Sequence, residues 1–168
     1  MVHNTETIEA VRRRFFPKRI ATLFVGESAP HSGDFFYYGN SAMSAHMKRA
    51  VQLAFGKCDD DFLKTFQAYG WYLDDLVLEP VNHLPKPQRM AKCLDWQKSL
   101  ADRIATYRPG AIVSLLKSIE PYVYSAATMA GSDAVRYGVP FPGMGQQARF
   151  QAEMAAIIRK LPRLTELG

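Results

Sequence analysis

The chain has 168 residues, 48% of them apolar and 22% charged, which suits one compact domain with a full core and argues against extended disorder. No apolar run reaches the ~18 to 20 residues that span a bilayer, and no signal-peptide pattern opens the chain. Two cysteines, Cys58 and Cys93, make neither a disulfide framework nor a zinc or iron–sulfur ligand set.

These bounds predict a cytoplasmic protein without membrane attachment and with two ordinary reduced thiols. The net charge of +5, with a pI of about 9.3, permits a polyanionic partner without requiring one.

In chain order, "ETIEAVRRRFF" reads as a helix with Ile8, Val11, Phe15 and Phe16 on one face. "RIATLFVG" is a nearly continuous apolar run, the pattern of a strand buried on both faces. "SAMSAHMKRAVQLAF" is helical, with Met43, Met47 and Val51 at core spacing and Ser41 as the preferred cap. "DDDFLKTFQAYG" predicts a short helix with acidic residues at its N-terminal end. "WYLDDLVL" begins as a second strand, and the three prolines of "EPVNHLPKPQ" require a loop.

"RMAKCLDWQKSLADRIATY" predicts one long amphipathic helix, and "AIVSLL" a third strand. "SIEPYVYSAATMAG" reads as a helix with proline in its first turn, ended by Gly131. "AVRYGVPFPGMG" holds a short fourth strand and a proline–glycine loop, and "QQARFQAEMAAIIRKL" is the closing helix. Strands separated by helices imply right-handed βαβ units. The expected fold is α/β, a three-layer α/β/α arrangement around a short four-stranded parallel sheet, as one domain over residues 1–168.

Ligands of open parallel sheets bind beyond the carboxyl ends of the strands. Three unusual segments should meet there: the loop 26–41, the Asp74–Asp75 region, and "VPFPGMGQQ". The first spends a carboxylate, a proline, a histidine and four consecutive aromatics where folding alone requires none of them.

"LFVGESAP" resembles the first motif of the uracil-DNA glycosylase superfamily, which in the iron–sulfur branch reads Gly-Glu-Ala-Pro-Gly. Phe35, Phe36, Tyr37 and Tyr38 stand where that superfamily places a ring that stacks on the extruded base. "WYLDDLVLEPVN" is similar to its second strand, "RPGAIVSLL" to its third, and "VPFPGMGQQARF" occupies the place of its second motif. The resemblance runs from about residue 19 to 161.

Several departures mark a divergent branch. The first motif is one residue longer to its proline, Leu73-Asp74-Asp75 replaces Thr-Asn, the second motif lacks histidine, and the cluster cysteines are missing.

The resemblance implies a DNA glycosylase that flips a damaged or deaminated base and hydrolyses its N-glycosidic bond, acting as a monomer without metal or cofactor. A carboxylate stabilises the cationic sugar and orients water, and Glu27 is the candidate. Phe36, or Phe35, would stack on the base. Asp74 or Asp75 would accept from its N–H or exocyclic amine, with Asp74 preferred, and His31 would contact a phosphate or the leaving base.

Pro142, Gly143, Gly145 and Gln146 would hold the DNA backbone at a helix start, with Met144 as a wedge in the vacated stack. A catalytically inactive binder of nucleic acid or nucleotide on the same fold is the alternative. A small-molecule hydrolase finds no nucleophile elbow or phosphate loop in the sequence.

Overall fold

The computed structural model describes residues 5–164; positions 1–4 and 165–168 of the expected domain lie outside them. Four strands, β1 (Thr22–Gly26), β2 (Trp71–Asp75), β3 (Ala111–Ser114) and β4 (Val135–Gly138), form one parallel sheet in the order β2-β1-β3-β4. Among the described residues seven helices surround it: α1 (Thr5–Arg14), α2 (Ala42–Phe55), α3 (Phe62–Ala68), α4 (Lys86–Asp95), α5 (Gln97–Tyr107), α6 (Glu120–Met129) and α7 (Gln147–Ile158). Short 3-10 turns stand at Phe36–Tyr38 and Lys117–Ile119.

The continuously apolar strands are buried, and β2 is buried too although it ends in Asp74 and Asp75. β1 and β3 are almost wholly enclosed, whereas β4, at an edge, is half exposed. Phe24 of β1 stands opposite Leu73 and Val113, and Val25 opposite Asp74 and Ser114, so all three carboxyl ends arrive together. Successive side chains take opposite faces. Phe24 and Trp71 pack with Phe66 of α3 on one face, while Asp74 turns to Arg103 of α5 on the other. α2 packs on α7 and α5 on α6, an arrangement compatible with three layers.

The edge strand β2 leaves the N–H and C=O of Leu73 without a strand partner, and buried backbone groups need one. The Tyr37 hydroxyl meets both: it donates to the Leu73 carbonyl at 2.9 Å and accepts from the Leu73 N–H at 2.7 Å. Arg12 of α1 adds a second donor to that carbonyl at 3.1 Å, so the first helix also closes the sheet edge.

Ser41 caps α2, its hydroxyl accepting from the Ser44 N–H, and Asp61 caps α3 through the Lys64 N–H. The single helix expected over 89–107 is instead two, with Trp96 between them. Their inward faces differ: α5 buries Leu100, Ala101 and Ile104, while α4 buries Cys93 and turns Arg89 toward the sheet's carboxyl edge. One straight helix cannot present both.

Candidate functional site

Beyond the carboxyl ends of β1, β2 and β3 lies a cavity of about 340 Å³, within the range of small-molecule sites. The segment Gly26–Pro30 forms one wall, and Phe35, Phe36 and Met43 form another. Leu73 and Asp75 close the β2 side, Leu115 and Leu116 the β3 side, and Asn82, Arg89 and Phe141 stand around them. The lining is chiefly apolar, with a few convergent polar groups.

Glu27 leaves β1 at a fixed angle. The pairing of β1 with β2 continues past the strands, since Leu76 donates to the Gly26 carbonyl at 2.8 Å and Val77 to the Glu27 carbonyl at 2.9 Å. Two side-chain bonds then clamp the loops after β1 and β2 together. The Ser28 hydroxyl accepts from the Val81 N–H, and Asn82 Oδ1 accepts from the His31 N–H.

The Glu27 side chain is only 10% exposed, and its Oε1 lies 3.6 Å from Arg89 Nη1. Its Oε2 and the Nε of Arg89 are both buried without a hydrogen-bond partner. Such atoms cost about 1–3 kcal/mol each when left unmet, and the two residues that carry them both line the cavity. Burial raises the Glu27 carboxyl above its ordinary value, and Arg89 offsets part of that rise.

Cys93 lies close enough to the pair to be influenced by it. Burial first, and then the Glu27 charge, push its thiol up to about 11. It is a protonated thiol at neutral pH.

The carboxylates of β2 divide. Asp75 lines the cavity; Asp74 does not, although the sequence reading preferred it as the base reader. Asp74 Oδ2 pairs with Arg103 at 2.9 Å, and its Oδ1 accepts from the Asp75 N–H at 2.8 Å. Asp75 Oδ2 pairs with Arg12 at 2.9 Å. Burial raises the Asp75 carboxyl, with Arg12 pulling the other way.

Gly26 is what admits Asp75. A Cβ at Gly26 would come within 2.7 Å of Asp75 Oδ1, so the glycine serves close approach rather than a turn.

Of the four consecutive aromatics, three are buried and Tyr38 is exposed. Phe35 and Phe36 both border the cavity and are also packed elsewhere. Arg12 lies over the Phe35 ring, and Phe36 contacts Tyr37, Phe62 and Phe66. Neither ring is a free platform.

His31 is exposed outside the cavity, its ring 4.2 Å from that of His83. Of the 140–146 loop, Phe141 reaches the cavity mouth while Pro142, Gly143, Met144, Gly145 and Gln146 do not line it. Met144 is fully exposed and holds a left-handed backbone, φ 52°, uncommon for a residue with a side chain.

Sequence reasoning missed Arg89, Asn82, Met43 and Phe141. Phe141 was within reach, since its loop was singled out for glycines and methionine. Asn82 lies within the proline-rich loop and Arg89 directly follows it, and neither carries any other local signal.

No protein-family model matches this chain, and no curated protein matches it as a relative.

Proposed function

We propose that the chain is a glycosylase-like enzyme of the uracil-DNA glycosylase type, drawing a damaged or deaminated base out of DNA and hydrolysing its N-glycosidic bond. The observation that carries this reading is Glu27. It is a nine-tenths buried carboxylate at the end of a buried strand, with one oxygen unmet, in a residue that lines a cavity of heterocycle size.

Extruding a base costs roughly a few kcal/mol, and aromatic stacking returns about 1–3 kcal/mol. The half-exposed ring of Phe141 at the mouth offers such a face, whereas Phe35 and Phe36 are packed into the wall. Asp75 supplies an acceptor from the floor. Glu27, with its raised pKa, is the stronger base once ionised, and it orients the attacking water. The exposed Met144, held in a strained conformation, suits a wedge entering the stack.

One observation favours the second reading, a binder without chemistry. The Glu27 charge faces Arg89 at 3.6 Å, and a paired carboxylate is a weaker base. The two readings separate in one experiment. Oligonucleotides carrying uracil, hypoxanthine, xanthine or mismatched thymine are incubated with the protein, and abasic sites are cleaved with alkali. Base release from at least one lesion is expected, slowed about 10²-fold or more in Glu27→Gln with DNA affinity kept. Equal rates in variant and parent would remove Glu27 from catalysis. No release from any lesion would leave the binder.

A further inference from the structure

At the opposite, amino edge of the sheet, three distant segments converge on an open cleft of about 600 Å³ lined by Lys18, Arg19, Lys64, Gln67 and Arg163. Among the described residues no carboxylate lines it; Asp61, 3.5 Å from Lys64, is a surface partner in a largely solvated pair. Four like charges around one concavity repel each other unless an anion relieves them.

The cleft is built rather than incidental. Gly70, at φ +76°, makes the convergence possible: a Cβ there would come within 2.8 Å of the Arg19 carbonyl and 2.6 Å of the Leu164 side chain. The C-terminal segment is tied down by three hydrogen bonds. Thr22 Oγ1 and Trp71 Nε1 both donate to the Pro162 carbonyl at 3.1 Å, and Leu164 donates to the Tyr69 carbonyl at 2.8 Å. Gln67 of α3 donates to the carbonyls of Arg14 and Phe16, which holds the segment before Lys18 and Arg19 against α3.

Arg163 is oriented further by its neighbours, its guanidinium 4.5 Å from the Phe55 ring centre and 5.3 Å from that of Tyr69. A preoriented guanidinium beside flexible lysines matches tetrahedral oxyanions, which accept several N–H donors at once.

We propose that this cleft is a second anion site, separate from the Glu27 cavity, that takes a chain of phosphates. The same chemistry is offered by a free polyphosphate and by the backbone of a nucleic-acid strand. A single phosphate offers one group to four cations around an open cleft, whereas a chain of phosphates offers several.

The full-length protein is titrated at low salt with tripolyphosphate by calorimetry and with a short fluorescent oligothymidylate by anisotropy. Melting temperatures are recorded for each variant. The parent should bind at least one probe. Lys64→Glu, at a highly exposed position, should weaken that binding about tenfold and reduce the log–log salt slope by about 1, and Arg163→Gln should weaken it as well. Glu27→Gln should leave it unchanged, whatever the outcome of the base-release assay.

Displacement of the oligonucleotide by tripolyphosphate would assign the site to phosphate chains in general. Binding of the oligonucleotide alone, lost in Lys64→Glu, would assign it to a nucleic-acid backbone. Failure of both probes to bind the parent, or unchanged binding by both cleft variants, would overturn the proposal.

Discussion

Glu27 and Arg89 define the chemistry of the cavity because each leaves one polar atom unmet while facing the other. Two opposed influences set the Glu27 carboxyl: burial raises it and Arg89 lowers it, with burial prevailing. A base must be ionised to act, so the rate should rise with pH along an acid limb placed above the ordinary glutamate range. Arg89→Met removes the lowering influence and should move that limb to higher pH, whereas Glu27→Gln should abolish it; single-turnover rates across pH would show both.

The linkage to stability has the opposite sense. Folded Glu27 keeps its proton to higher pH than the unfolded chain does, so the folded state binds more protons in that window and its stability falls as pH rises through it. At this scale the sequence was only partly legible. It placed Glu27 at the strand end, but the choice between Asp74 and Asp75 turns on which face of β2 each takes, and a shift of one residue exchanges them. Arg89 reaches the cavity from 62 positions away in sequence, and no local pattern encodes that meeting.

Most elements were readable because periodicity and caps agreed. The apolar run ending at Val25 is a buried strand, Ser41 caps α2, and Gly131 follows α6 in a left-handed conformation. The division of 86–107 into two helices was not readable, since the amphipathic pattern runs on through Trp96 while the partners of its two halves differ. The Phe36–Tyr38 turn shows how an element can serve core and cavity together. Its Phe36 ring packs on Phe62 and Phe66 yet borders the cavity. Phe36→Ala should therefore lower stability by about 3–5 kcal/mol, the scale of a core phenylalanine, in denaturant unfolding. A loss of ligand affinity without a loss of stability would show that the ring is a platform rather than a packed wall.

Across the whole molecule, the parallel sheet separates two differently lined cavities by edge. The carboxyl edge carries the buried acid and the apolar cavity, and the amino edge carries the cationic cleft. The order β2-β1-β3-β4 puts β1 between β2 and β3, which is why residues after one short strand meet side chains from both neighbours. With a net charge of +5, duplex DNA binding that neutralises about four phosphates should give a log–log salt slope near −3 to −4. A flat salt titration would point to a small uncharged ligand instead. The alternation of strands and helices made the architecture legible, but the sorting of charge between the two edges emerges only when distant segments are brought together.

Arg12 gives the first helix an influence beyond its own packing. It ties α1 to the carbonyl of Leu73 and to the carboxylate of Asp75, one residue in the cavity wall and one in its floor. Any occupant that donates to Asp75 competes with Arg12, and so loosens α1 against the sheet edge. Amide hydrogen exchange along α1 then becomes a reporter of cavity occupancy, readable without knowing the ligand's identity and without any turnover.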